Sequence, residues 1–295
     1  KVKVSYSGSY TLQTPGIVPD YIDSYNWALM RNEVKAGTFS EEALQKLQDG
    51  SDPDHYANTN WLDAVLRNAS MHQHHLSVSG GSENTHFMTS VAYSNQDGIM
   101  MKTGVERISF RSNVDTRYKR FTFGLNLSGN KNDVTAPAVA PSGEGGIMRF
   151  VSWFTRPTVP VMYSNGHYGY VENPVELMSL GYRSNEYWRF NGKAFAGIDL
   201  IDGLKFQTNF AYAFDLNATK SYNPKSPARY DAEGNVKKVE GATNQSSDYW
   251  YRNATWTNEN LLTYNKQFNE HNISVLLGHS IIGSRYYTTT AAIQG

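Results

Sequence analysis

The sequence predicts an all-β protein: an antiparallel up-and-down transmembrane β-barrel, present in part as about nine strands, with long extracellular loops and short helices in the first loop. Three observations predict this fold. Many segments alternate apolar and polar residues with a period of two. Their polar positions carry hydroxyl and amide side chains mixed with charges of both signs. Finally, short and long connections alternate along the chain, as they do in outer-membrane barrels.

The alternation is clearest between Met71 and Asn132, and above all in segments 121–128 and 105–115. Apolar residues share one face of these segments, namely Phe121, Phe123, Leu125, Leu127, Ile108, Phe110 and Val114. The opposite face carries Thr122, Gly124, Asn126, Ser128, Arg107, Ser109, Arg111, Asn113 and Asp115. Charges of both signs cannot lie in a dry core, and Asn, Ser, Thr and Gly are typical of the wet lumen of a membrane barrel. The composition of the polar face therefore favours a barrel over a soluble sandwich.

The composition supports a membrane location and excludes several classes of protein. Among 295 residues, 18% are charged and 13% are aromatic, with 20 Tyr and 6 Trp, as is common at a membrane interface. The 27 basic and 27 acidic residues cancel, so no nucleic-acid partner is expected. There is no cysteine for a disulfide or a thiolate metal site. No apolar run approaches the ~20 residues of a spanning helix, so strands must cross the membrane.

Taken in order, the chain opens with a strand at Val2 to Leu12, without a secretion signal, so we expect it to begin inside a protein or after processing. An insertion over 13–70 follows, with helices predicted within 21–30, 41–47 and 61–67 and a stop at Gly50. The remaining strands are predicted near 75–80, 85–95, 105–115, 121–132, 187–200, 204–215, 249–265 and from 272 onward. Residues 133–186 and 217–248 are predicted to be long loops.

The connections run long, short, medium, short, long, short, long and short. In an up-and-down sheet this order places every short turn at one end, as in barrels with brief periplasmic turns. Nine strands would leave two open edges, so the sequence predicts part of a barrel.

Four blocks in order carry a family resemblance: Asn58–Asp63 (NTNWLD), His75–Thr85 (HLSVSGGSENT), Ser94–Ile99 (SNQDGI) and Phe110–Asp115 (FRSNVD). Together they resemble the early barrel of SusC/RagA-type TonB-linked outer-membrane transporters. The resemblance covers residues 1–135 well and the remainder in its rhythm of strands and loops.

The resemblance implies a barrel of about 22 strands in the Gram-negative outer membrane. It also implies an N-terminal plug that reaches the TonB complex and a SusD-like surface lipoprotein that acts as a lid. Such proteins import oligosaccharides or peptides, so outer-membrane lipid and one of these substrates are the further expected partners. We expect the plug, the TonB box and the closing strands to lie outside this sequence, and transport is therefore expected of the parent protein. No cofactor is implied.

Two groups of residues are candidates for contact with substrate. Arg107, Arg111, Asn113 and Asp115 are expected to line the lumen, where they would bind an anionic or hydroxylated substrate. The alternative, favoured because charges inside a membrane are usually paired, is that they pair with one another, with neighbouring strands or with the plug. The loop aromatics Trp153, Phe154, Tyr163 and Tyr168 would stack on sugar rings or contact the lid, and packing within a folded loop explains them equally well.

Two motifs could be interpreted as metal sites, and for both we favour another interpretation. His72 to His75 offers two imidazoles on one face of a strand without a third ligand. Asp52-Pro53-Asp54 with Asn58, Asn60 and Asp63 resembles a calcium loop that lacks the usual Gly and Glu. Turn formation and an N-cap for the helix at Trp61 explain the second motif without a metal.

Two other functions compete with transport. A secreted β-sandwich or propeller that binds glycans would use the same aromatics. An outer-membrane enzyme would need catalytic groups in loops 13–70 or 133–186. The sequence has no nucleophile elbow, zinc-binding helix or phosphate loop, and we expect no enzyme.

Overall fold

The computed structural model describes residues 1–16, 18–138, 151, 155–169, 173–225, 228–238 and 243–295. In the described residues, nine antiparallel strands form one open sheet in which each strand pairs with the next strand of that sheet along the chain. The strands are β1 (Lys3–Gln13), β2 (Ala69–Gly81), β3 (Thr85–Asp97), β4 (Gly104–Tyr118), β5 (Phe121–Ala136), β6 (Tyr182–Ile201), β7 (Leu204–Asn223), β10 (Gln245–Phe268) and β11 (His271–Gln294). The predicted fold class is confirmed.

The short turns all lie at one end of the sheet, as the sequence predicts. They span residues 82–84, 119–120, 202–203 and 269–270, while the connections at the other end are longer. Gly203 occupies one of these turns with a φ of 81°, a left-handed conformation that glycine adopts without strain. The end with the short turns is called the turn end below, and the other is called the loop end.

The strand register aligns the apolar residues on one face of the sheet. Val91 pairs with Phe110, and Val114 pairs with Leu125. This face is open, since Phe123 on it is 45% exposed, and no second sheet packs against it in the described part of the chain. Such a face needs lipid to cover it, whereas a sandwich would bury it under a second sheet.

The strands reach farther toward the loop end than the sequence predicts. β2 begins at Ala69 rather than His75, β7 ends at Asn223 rather than Asp215, and β10 begins at Gln245 rather than Tyr249. The predicted loops 133–186 and 217–248 accordingly shrink to 137–181 and 224–244. These extensions carry polar residues on both faces, so the backbone pairing continues where the apolar alternation has stopped.

Short helices and one hairpin lie in the long connections. The first connection holds α1 (Ser24–Val34), α2 (Glu41–Asp49) and α3 (Trp61–Val65), the third holds α4 (Pro174–Ser179), and the fourth holds the hairpin of β8 (Arg229–Tyr230) and β9 (Val236–Lys238). The hairpin was not predicted, and α1 and α3 differ from the predicted bounds. Asp23 is the N-cap of α1, so this helix begins at Ser24. Ser40 and Gly50 cap the two ends of α2. None of the described helices is long and apolar enough to cross a membrane.

Candidate functional site

The polar face of the sheet forms a wall of hydroxyl, amide and basic side chains. Two adjoining depressions of about 380 and 420 Å³ lie on this wall and share His75, Arg107 and Ser109 among their lining residues. A third, of about 250 Å³, lies beside them between Arg111 and Thr257. We call this face the polar wall.

Arg107 and Arg111 lie one above the other at the centre of the polar wall. Arg107 faces Ser94 and Asn132 across the neighbouring strands, and Arg111 faces Ser90 and Ser128 in the same way. Neither guanidinium forms an ion pair with any residue in the described ranges. The expected pairing with each other or with adjacent strands is therefore absent there, and both arginines line depressions of the polar wall.

Asn113 and Asp115 continue the same row toward the turn end. Asn113 faces Asn126 and lines the third depression beside Arg111. The Asp115 Oδ2 atom lies 3.5 Å from His86 Nδ1, close to the turn at residues 82–84. Asp115 therefore has a neighbour on the adjacent strand, as the pairing alternative predicts, and is set apart from the two arginines.

A second charged cluster, which the sequence alone does not predict, lies on the polar wall near the loop end. Arg189 Nε donates to Asp215 Oδ1 at 2.7 Å, and the hydroxyl of Tyr187 donates to the same oxygen at 3.0 Å. Arg189 and Asp215 are direct cross-strand partners. The signal was present in the polar alternation of residues 187, 189 and 191, but only the register shows that Asp215 faces Arg189.

Above the polar wall, the long connections fold together into a body that we call the loop cap: residues 14–16, 18–68, 98–103, 155–169, 173–181 and 228–238, with Val151. Its apolar core joins Trp61, Leu62 and Val65 to Val151 and Met178, and Trp61 and Val65 are fully buried. The indole Nε1 of Trp61 donates to the carbonyl of Arg156 at 2.8 Å. The first and third connections are thus one packed unit.

The fourth connection is fastened to this unit by polar contacts. His55 bridges two acids, with its Nε2 atom 2.5 Å from Glu233 and its Nδ1 atom 2.8 Å from Asp52. The hydrogen bond to Glu233, followed in size by the hydrogen bond to Asp52, raises the pKa of His55 above its ordinary value.

Farther along the same contact, His167 stacks on Tyr230 with ring centroids 4.1 Å apart. The amide of Asn165 donates to the carbonyl oxygens of Asp231 and Ala232 at 3.1 and 2.9 Å. Within the hairpin, the hydrogen bond from Lys237 holds the pKa of Asp231 well below its usual range. The hairpin is therefore a fixed part of the loop cap.

Of the four loop aromatics singled out from the sequence, Trp153 and Phe154 lie outside the described residues. Tyr163 is 5% exposed, so its ring packs inside the loop cap and leaves little surface for a substrate. Tyr168 is half-buried and its hydroxyl lies 3.4 Å from the hydroxyl of Ser179.

In the segment that resembles a calcium loop, side-chain oxygen atoms accept hydrogen bonds from the protein itself. Asn60 caps α3, as expected, because its Oδ1 accepts from the backbone N–H groups of Leu62 and Asp63 at 3.1 and 3.4 Å. Asp54 accepts from the N–H of Ser164 at 2.9 Å, and Asn58 accepts from the N–H of Ser24 at 3.0 Å. The contact between Asp54 and Ser164 also ties the first connection to the third.

His72 and His74 lie on the apolar face, with ring centroids 5.6 Å apart, and His75 faces the polar wall. The hydroxyl of Tyr6 is 2.8 Å from His74 Nδ1, and Tyr93 lies against His72. No group of three or more His, Asp or Glu side chains suited to a metal is found in the described part of the chain.

A sheet with an open apolar face, a polar wall on its other side and a folded loop cap at one end defines a segment of an outer-membrane β-barrel. No family model matches the sequence. The chain is 29% identical over 291 residues to TonB-dependent receptor P3 of Formosa agariphila, which covers 95% of the chain and 27% of that protein. It is 30% identical over 244 residues to TonB-dependent receptor P26 of the same organism, covering 78% of the chain and 23% of that protein.

TonB-dependent receptor SusC of Bacteroides thetaiotaomicron is 26% identical over 168 residues, covering 54% of the chain and 16% of that receptor. Among solved structures, the RagAB peptide importer in its closed-closed state superposes with a TM-score of 0.77 at 20% identity, covering all of the chain and 36% of the matched one. The chain belongs to the SusC/RagA-type TonB-dependent receptors, which are outer-membrane proteins. It spans about a quarter of the length of the curated relatives P3 and P26.

Proposed function

We propose that this chain forms part of the barrel wall and extracellular surface of an importer that takes up oligosaccharides or peptides, with TonB energy and a SusD-like lipoprotein as its lid. The proposal rests on Arg107 and Arg111, two arginines on the polar wall below a folded loop cap that form no ion pair within the described ranges. An open donor-rich wall suits a hydroxylated or anionic substrate, because guanidinium groups bind carboxylate, sulfate and phosphate groups through paired hydrogen bonds. The plug and the closing strands would belong to the rest of the protein.

Membership of a receptor family and the named peptide importer among the solved neighbours support import rather than catalysis. The loop cap supports a lid as partner, because it presents one rigid surface at the loop end on which a lipoprotein would close. The SusD-like lipoprotein as partner and the oligosaccharide or peptide as substrate both belong to this proposal.

The test is uptake by cells that carry the full-length protein with Arg107→Gln and Arg111→Gln. We expect uptake of acidic oligosaccharides or acidic peptides to fall about tenfold, as expected for the loss of one to two charged hydrogen bonds. Neutral oligomers of the same length should be affected less. Arg120→Gln at the turn between β4 and β5 is the matched control, because it removes an arginine outside the polar wall.

Equal uptake by the double variant and by the parent would show that the two arginines do not bind the substrate. Contact with the plug would then be their role. Loss of the whole gene without any change in oligomer uptake would contradict the importer itself. Surface levels of each variant, measured with an antibody to the loop cap, separate transport from assembly.

A further inference from the structure

Two arginines that form no ion pair with any described residue lie on the apolar, lipid-facing side of the sheet. Arg252 on β10 is the direct partner of Leu216 on one side and of Tyr287 on the other. The alternate residues of β10, including Thr255 and Thr257, line the polar wall. Arg252 therefore points away from the lumen, and so does Arg285, the partner of Ala254 on the same face.

Both arginines use the same aromatic ring. The guanidinium carbon of Arg252 lies 4.8 Å from the centroid of Tyr287, and that of Arg285 lies 4.7 Å from it. The two charges are thus less than twice that distance apart. Neither forms an ion pair with a residue in the described ranges. Two like charges held together at a lipid face repel one another unless an anion lies between them.

Another basic side chain lies in the same row of the lipid-facing side and can be compared with the two arginines. Lys131 on β5 also faces lipid, and its ammonium lies 2.7 Å from Asp133 and 3.8 Å from Glu186. That cation is neutralised by the chain itself. Asp248, the acid on the lipid-facing side of β10, is four residues from Arg252, about 13 Å along the strand. Within the described ranges, no acid side chain neutralises the arginine pair.

The surroundings of the pair define the ligand. A groove of about 410 Å³ runs beside Arg252 and is lined by Phe214, Leu216, Trp250, Arg252, Tyr287 and Thr289. Its floor is apolar, and its basic groups lie at the end of the apolar band nearest the loop end. A ligand that fits has a phosphate group joined to acyl chains, with the phosphate at the level of the headgroups of the outer leaflet.

We propose that Arg252 and Arg285 bind the phosphate of an outer-leaflet glycolipid of the lipid A type, whose acyl chain lies in the groove over Phe214 and Leu216. Phosphate fits both the fork of each guanidinium and the charge of the pair. The site is independent of the imported substrate, because it lies on the opposite face of the sheet from the polar wall.

The test measures binding of diphosphorylated lipid A to the full-length protein in mixed micelles. Arg252→Gln with Arg285→Gln should weaken binding about tenfold or more, since charged hydrogen bonds are lost at both groups. The variant with lysine at both positions should retain part of the affinity. Arg183→Gln, an arginine on the other face of β6 near the loop end, is the matched control and should bind as the parent does.

Lipid A stripped of its phosphates should bind the parent protein as weakly as intact lipid A binds the double glutamine variant. Equal binding of stripped and intact lipid A would overturn the proposal, and so would equal affinity for phosphatidylglycerol or displacement by millimolar inorganic phosphate. If the double variant does not assemble, the two single glutamine variants are compared instead. Parent-like affinity in both would overturn the assignment.

Discussion

At the scale of single residues, the loop cap depends on a few side chains whose roles a sequence pattern indicates only in part. The position of Asn60 before an apolar pair suggests an N-cap, and the structure bears this out. The burial of Trp61 against Val151 and Met178 has no local signal, because these residues come from different connections. Contacts of this kind depend on how the strands place the loops.

Replacement of Asn60 by alanine is expected to loosen α3. The change removes the acceptor for two backbone N–H groups and should cost about 1 kcal/mol of local stability. Limited proteolysis of the intact protein in outer-membrane vesicles should then cut the first connection several times faster. Asn60→Asp keeps an acceptor and serves as the control, and equal protease resistance of all three proteins would contradict the role of the cap.

Close approach of Phe195 to Gly124 gives a second prediction. A Cβ atom on Gly124 would lie 2.1 Å from the Phe195 ring, whereas one on Gly278 would be at an ordinary 3.4 Å from Leu261. Gly124→Ala should displace the ring and destabilise the barrel by about 1–3 kcal/mol. Gly278→Ala is its matched control on the same face. The midpoint of the heat-induced gel shift of the full-length protein reports the difference, and equal midpoints would contradict it.

At the scale of elements, the sequence predicts each strand of the sheet but not its length. Alternation is clear only where one face meets lipid. The sequence therefore predicts β2, β7 and β10 shorter than they are, because polar residues interrupt their apolar faces toward the loop end. The hairpin of β8 and β9 has too few residues to show any period. Its position depends on Asn165, His167 and His55, which lie far from it in sequence.

The link between His55, Glu233 and Asp52 should make the docking of this hairpin dependent on pH. Because the folded pKa of His55 is raised above 6.5, its bridges contribute fully below pH 6.5 and are lost as the pH rises through the raised value. Amide exchange of residues 229–238, corrected for the intrinsic effect of pH, should show greater protection at low pH. His55→Gln should remove this dependence, and an unchanged pH profile in that variant would sink the assignment.

At the scale of the whole molecule, the sequence predicts the class of fold and the family, since four ordered blocks and the order of connections both reflect the barrel. The candidate site was predicted less well. The polar-wall position of Arg107 and Arg111 follows from alternation. Their lack of an ion-pair partner among the described residues, and the cluster of Arg189 with Asp215, depend on register. A periodic pattern determines on which face of the sheet a residue lies. It does not determine which residue lies opposite it on the neighbouring strand.

An antibody to residues 14–68 should detect a band in the outer-membrane fraction well above 33.2 kDa, because the curated relatives are about four times as long as this chain. The band should also shift on heating, as closed barrels do on gels. A soluble band near 33.2 kDa would contradict the proposal that these residues are one part of a larger receptor.

The order of the strands also has a consequence for how such a protein is assembled. Each strand pairs with its neighbour in sequence, so hairpins can join the growing sheet one after another. The core around Trp61 unites segments that are separated along the chain by β2, β3, β4 and β5, and it can close only when these strands stand side by side. The finished cap is therefore a late product of biogenesis, and a protein arrested halfway through insertion would display its Trp61 surface to proteases outside the cell.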